Sequence, residues 1–180
     1  MPQPTIFFIT GASASGKTTL LARLARQADL PGASYHFFDS VGIPSPEGMQ
    51  RDFGGPERWQ EHATHRWVDQ LLGVPSSLAI IEGSTRPQFI LAAFERAKVV
   101  RGEVLLLDCG LEERRRRLQI DRAQPELANF HMFAWAAYLR GQADALGLPI
   151  LDTTDLDLAD ACQRLAERIR QFASLSAVGE

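Results

Sequence analysis

Residues 11–18 read Gly-Ala-Ser-Ala-Ser-Gly-Lys-Thr, and they constrain this chain more than any other segment. They fill every fixed position of the pattern G-x-x-x-x-G-K-[ST]. A short apolar run, residues 5–9, precedes them, and Leu20, Leu21, Leu24 and Ala28 follow at helical spacing over residues 16–28. A glycine-rich turn between a buried strand and a helix suits phosphate. Gly11, Ala12, Ser13, Ala14, Ser15 and Gly16 are small enough for backbone N–H groups to converge on phosphate oxygens. The helix opening near Gly16 adds the positive end of its dipole. Lys17 is expected on the β- and γ-phosphates and the Thr18 hydroxyl on Mg²⁺, with Thr19 beside them. The reading is a loop for a magnesium-complexed nucleoside triphosphate, with ATP as the expected ligand.

Beyond the loop, strand-sized apolar runs at 35–38, 78–81, 104–107 and 149–151 alternate with helical stretches at 56–72, 87–97, 111–122, 125–146 and 156–172. The runs are continuously apolar rather than alternating, as strands covered on both faces are. This predicts a three-layer α/β/α domain over residues 1–180 with a parallel sheet. Trp59, Ala63, Trp67 and Leu71 form a stripe that reads as core, and the aromatic-rich stretch around His131, Phe133, Trp135 and Tyr138 reads as core too. Residues 40–55 are rich in Gly, Pro and Ser and read as a long functional loop. Residues 173–180 read as a frayed tail.

The formal net charge of −3 supplies no global field for nucleic acid or an anionic membrane, so neither is an expected partner. The apolar runs are too short to span a bilayer, and no basic stretch precedes residues 5–9 as in a secretory leader. Cys109 and Cys162, the only two cysteines, suggest neither a metal cluster nor a disulfide framework, so a cytoplasmic setting is expected. His62 and His65 have no metal partners at recognised spacing.

Two carboxylates end apolar runs. In parallel sheets ligands gather at the carboxyl ends of strands, so Glu82 and Asp39 are expected to face the loop. Glu82 is a candidate Mg²⁺ ligand, directly or through water. Asp39 is a candidate to orient or deprotonate an acceptor hydroxyl, although an Asp-Ser pair also starts turns.

Gly-Ala-Ser-Ala-Ser-Gly-Lys-Thr-Thr after the first strand, Asp39 after the second, Ile80-Ile81-Glu82-Gly83 at the third, Glu112-Glu113-Arg114-Arg115-Arg116-Arg117-Leu118 with Arg122 after the fourth, and Leu151-Asp152-Thr153-Thr154 at the fifth come in a telling order. In that order they resemble the P-loop small-molecule kinases, the group that includes nucleoside, nucleotide, shikimate and gluconate kinases. The resemblance covers most of the chain. It implies a five-stranded parallel sheet, ATP as donor with Mg²⁺, and a small-molecule acceptor (metabolite, nucleoside or nucleotide). It also implies a short arginine-containing lid at about 111–130 and an acceptor region at about 40–72. Arg117 and Arg122 match the lid spacing best, with Arg114 a third candidate on the nucleotide side. Negative charge spreads over the phosphoryl group in flight, and guanidinium forks match it. The same run also fits a solvated face in which Glu112 and Glu113 pair with Arg116 and Arg117. Asp152 and Thr153 resemble the adenine-side loop of the group, and are equally good helix-capping residues.

This chain carries Glu82 where many members have Asp, and residues 40–72 match no acceptor site of known type. Arg51 and Arg86 are candidate substrate clamps, as is Arg58, with surface arginine the simpler reading for Arg51 and Arg58. A nucleotide-hydrolysing switch or a polynucleotide-end kinase would share the same loop, but the former needs a moving partner segment and the latter a basic channel.

Overall fold

The computed structural model describes residues 3–27 and 30–174, so Ala28 of the expected first helix and residues 175–180 of the expected tail lie outside the described residues. At its centre is β1 (Thr5–Thr10). It is flanked by β3 (Leu78–Gly83) and β4 (Gly102–Asp108), with β2 (Ala33–Phe37) and β5 (Ile150–Asp152) at the edges. The order is β2-β3-β1-β4-β5, and every pairing is parallel.

Continuous apolarity in the strands has a plain cause. Side chains alternate across a strand, and both faces of β1 are covered. Phe7 and Ile9 pack with Leu20, Leu21 and Leu24 of α1 (Lys17–Gln27) and Leu165 and Ile169 of α7 (Leu158–Ser174). Ile6 and Phe8 pack on the other face with Trp67, Val68 and Leu71 of α3 (Pro56–Leu72) and Ile90, Ala93 and Phe94 of α4 (Pro87–Arg96).

Register sets the functional edge. Thr10 lies opposite Gly83, Ile9 opposite Glu82, and Phe37 opposite Glu82. The carboxyl ends of β1, β2 and β3 are therefore level, and Asp39, two residues beyond Phe37, follows directly onto that edge in a 3₁₀ turn, Phe38–Val41.

Three segments depart from the sequence reading. Residues 40–55 are not one loop, because α2 (Pro46–Phe53) forms within them. Ser45 caps it by accepting from the Gly48 N–H, Pro46 suits the first turn, and Gly54 closes it at φ 81°. The stretch 111–122 is α5 (Leu111–Arg116) followed by a π turn, Arg117–Asp121. The stretch 125–146 holds a 3₁₀ turn, Pro125–Leu127, and then α6 (Phe130–Ala145), capped by the Asn129 side chain on the Met132 N–H. Only Leu139 and Ala143 of α6 are buried. Phe130, His131 and Tyr138 are exposed, while Phe133 and Trp135 are half-buried, Trp135 against the cluster of Leu106, Leu139 and Ala143, so only one side of this aromatic helix is core. Among the described residues, no helix is long and apolar enough to cross a membrane.

Leu24 is fully buried between α1 and the sheet. Leu24→Ala is expected to cost about 2–5 kcal/mol of stability, read as a lowered urea midpoint at unchanged m-value.

Candidate active site

A cleft of about 710 Å³ opens where the strands end. One wall is residues 13–20, from the glycine-rich loop into α1; Asp39, Glu82 and Ser84 close one side. Opposite stand Glu113, Arg116, Arg117, Asp121 and Arg122, then Thr153 and residues 156–158 with Ala161.

The loop needs glycine at two places for different reasons. A Cβ on Gly11 would collide with the Leu107 carbonyl oxygen of β4. Gly16 sits at φ 102°, which residues with a Cβ rarely adopt. Ala14 holds φ 63°, in the left-handed region, despite carrying a Cβ.

Lys17 is 7% exposed, and its Nζ donates to the Ala12 carbonyl at 3.1 Å. Burial lowers its pKa to about 8; Glu82 and Asp39 pull it back up, while Arg114 and Arg122 push it further down. Thr18 donates its hydroxyl to Glu82 Oε1 at 3.2 Å, which joins the two expected metal ligands. Burial raises the Glu82 pKa, against the pull of Lys17 and the Thr18 hydrogen bond. Among the described residues, no group of three or more His, Cys, Asp or Glu could hold a metal. A hydroxyl and one carboxylate do fit Mg²⁺, which takes few protein oxygens and fills its shell with phosphate and water. Asp39 is exposed, lines the cleft, and lies near enough to Lys17 and Glu82 to act on both electrostatically.

The arginines separate. Arg114 is 1% exposed and does not line the cleft; it pairs with Asp108 at 2.6 Å and donates to the Ser13 and Cys109 carbonyls. The expectation that it faces the nucleotide is therefore corrected. Gly110 starts α5, so Arg114, one turn on, points beneath the loop. Arg117 lines the cleft but is held by Glu113 at 2.7 Å, by the Ala14 and Ser15 carbonyls, and by Thr153 through its hydroxyl and its carbonyl. Hydrogen bonds from Arg116 and Arg117 keep the Glu113 pKa at about 2. Arg122 is exposed at the cleft and forms no ion pair among the described residues.

Thr153 is 2% exposed and at the cleft. Asp152 is not in the cleft lining; its carboxylate accepts from the Thr154 N–H at 2.9 Å and faces Arg140 at 3.8 Å, the work of a capping turn. Arg51 also lies off the cleft, 74% exposed and bound to neighbouring Asp52 because α2 turns it to solvent. Arg86 is away from the cleft lining as well. Its guanidinium donates to Gln60 at 2.7 Å, meets Glu57 at 3.5 Å, and lies against the rings of Phe89, Trp135 and Tyr138. As the residue before α4, it staples α3, α4 and α6 together.

Sequence reasoning missed the 156–161 wall. Ser84 is held by Gln60 on its carbonyl and by the Trp135 indole N–H on its hydroxyl. Leu156 and Ala161 were visible only as apolar residues of the last helical stretch.

No family model matches the chain, and no curated protein matches it. Solved structures do. A gluconokinase from Sinorhizobium meliloti 1021 aligns over 100% of both chains at 14% identity, with a TM-score of 0.62. The Deinococcus radiodurans tunicamycin resistance protein aligns over 94% of this chain and 95% of its own at 17% identity, TM-score 0.61. A shikimate kinase from Acinetobacter baumannii, in complex with shikimate, covers 99% and 96% at 19% identity, TM-score 0.54. The chain has the fold of the P-loop small-molecule kinases, an α/β architecture on a five-stranded parallel sheet.

The lowered Lys17 pKa has a defined sign. Between about 8 and the ordinary 10.5 the folded protein binds fewer protons here than the unfolded chain. This group's contribution to stability therefore rises with pH across that window, and its burial penalty is fully present below about 8. NMR titration of the Lys17 amine in ligand-free protein should give a midpoint of about 8 that moves up when tripolyphosphate is added. An ordinary lysine midpoint in the ligand-free protein would contradict the buried placement.

Proposed function

We propose that the chain is an ATP-dependent phosphotransferase that moves the γ-phosphoryl group to a hydroxyl on a small molecule. The observation that carries this reading is the meeting of Lys17, the Thr18–Glu82 pair and Asp39 in one cleft at level strand ends. A nucleotide-binding loop alone would need only the first two.

Each residue has a distinct task. The N–H groups of residues 13–18 cradle the phosphates, with Lys17 adding a point charge on the β- and γ-groups. Thr18 and Glu82 hold Mg²⁺, which supplies neutralising charge to the phosphate oxygens when bound. Asp39 accepts a hydrogen bond from the acceptor hydroxyl, aligns its oxygen on the γ-phosphorus and takes its proton as the bond to the β,γ-bridging oxygen breaks. Arg122, at the cleft and without an ion pair among the described residues, is the lid arginine that meets the phosphoryl group in transfer. Arg117 and Thr153 brace the nucleotide side. Residues 40–72 form the acceptor side and 111–130 the lid of a single domain, and the setting is cytoplasmic.

The direct test is ADP release with MgATP against nucleosides, nucleotides, sugars, hydroxy acids and antibiotics. Stimulation by one class identifies the acceptor, and a flat response with ATP bound would refute the kinase reading. With the acceptor in hand, Asp39→Ala is expected to lower kcat by about 100-fold or more with MgATP affinity within about twofold. Normal turnover in that variant would remove Asp39 from the mechanism. Arg122→Ala should likewise reduce kcat far more than it weakens ATP binding.

A further inference from the structure

Side chains hold four consecutive carbonyls of the loop, and one donor, Arg114, lies outside the cleft lining. Lys17 donates to Ala12 O at 3.1 Å, and Arg114 donates to Ser13 O. Ala14 O accepts from Arg117 at 3.3 Å and from the Cys109 thiol at 3.6 Å. Ser15 O accepts from Arg117 at 3.4 Å and from the Thr153 hydroxyl at 3.3 Å. All peptide bonds among the described residues are trans. In a planar trans peptide the N–H points opposite to the C=O. A carbonyl drawn outward therefore turns the next residue's N–H toward the cleft.

Arg114 stands apart among these donors. Lys17 would have to leave Ala12 to meet phosphate, as the triphosphate reading requires, and Arg117 is partly exposed at the cleft. Arg114 is fully enclosed, and its fork is fixed by Asp108 Oδ1 at 2.6 Å and the Cys109 carbonyl at 3.3 Å. Asp108 is itself tied to Arg140 at 3.3 Å, and its backbone carbonyl accepts from Thr153. The tether thus runs from the end of β4 to the crest of the loop. It ends at the peptide before Ala14, whose φ of 63° costs a residue with a Cβ on the order of 1 kcal/mol and needs holding in place.

We propose that the Asp108–Arg114 pair is a positioning device for the phosphate loop: it fixes the Ser13 carbonyl outward so that the Ala14 N–H is aimed at phosphate before the ligand arrives. The proposal rests on the reading of the loop as a triphosphate cradle, and it does not require a phosphate acceptor. An ion pair kept only for packing has no use for a third partner, since buried pairs are often replaced by apolar residues without loss. Here the third partner is a loop carbonyl.

Two variants isolate the effect. Arg114→Lys keeps a charge beside Asp108 but lacks the planar fork that spans Asp108 and Ser13. The double variant Asp108→Asn/Arg114→Met removes the pair without leaving a buried orphan charge. Affinities for tripolyphosphate, MgATP and adenosine are measured by calorimetry at a temperature where melting curves show each protein folded. The expected result is about tenfold weaker tripolyphosphate and MgATP binding in both variants, with adenosine affinity unchanged. Wild-type tripolyphosphate affinity in a folded variant overturns the proposal. Should both variants fail to fold, the wild-type protein decides through hydrogen exchange of the Arg114 guanidinium. Exchange that stays slow with and without tripolyphosphate supports the tether, and exchange that quickens on binding overturns it. A wild-type protein that binds no tripolyphosphate overturns both this proposal and the triphosphate reading. One that binds tripolyphosphate but shows no acceptor-stimulated ADP release overturns the kinase reading alone.

Discussion

Everything at the site depends on how closely the loop after β1 passes the end of β4. Gly11 lies against the Leu107 carbonyl with no space for a side chain. That approach lets β4 and the residues after it reach under the loop, so Asp108, Cys109 and Arg114 become its floor. A loop standing free of β4 would have its carbonyls solvated and its N–H groups unaimed, and would have to order itself around each ligand. Preorganisation removes that cost from binding.

The charges around this floor are arranged by burial. Lys17 and Glu82 are both enclosed, each shifted toward its neutral form by lost hydration and pulled back by the other. Such a pair is poised for ligands that bring charge, because phosphate strengthens the ammonium and a cation strengthens the carboxylate. Across the cleft, Glu113 collects Arg116 and Arg117, which leaves Arg122 as the cationic side chain on that wall without an ion pair among the described residues. A run of four arginines is thereby divided into a buried brace, a bound wall and solvated surface.

Much of this was readable beforehand because it is local. A β-branched apolar run, small residues and an amphipathic stretch specify strand, turn and helix within a few residues, and β1, α1 and the loop follow. Glu82 was legible as a strand-end carboxylate, and parallel register then set it opposite Phe37, two residues before Asp39. The short helix α2 escaped notice because the stretch 40–55 around it is rich in Gly, Pro and Ser, although Ser45, Pro46 and Gly54 are sound capping residues. The aromatic helix α6 was read as core because aromatic content suggests burial, yet Tyr138 is exposed and, with Trp135, lies against the Arg86 guanidinium.

The sequence by itself determined the order of strands and helices, the phosphate-loop motif and which residue types end the strands, since these follow from nearest-neighbour patterning and backbone freedom. Tertiary structure alone decided which arginine faces the cleft. The orientation of a side chain on α5 depends on where Gly110 starts the helix and where the π turn at Arg117–Asp121 rotates the chain. Both are selected by packing against the loop, 101 and 103 positions away, and against Thr153 just after β5, 36 positions away, contacts that no local pattern encodes.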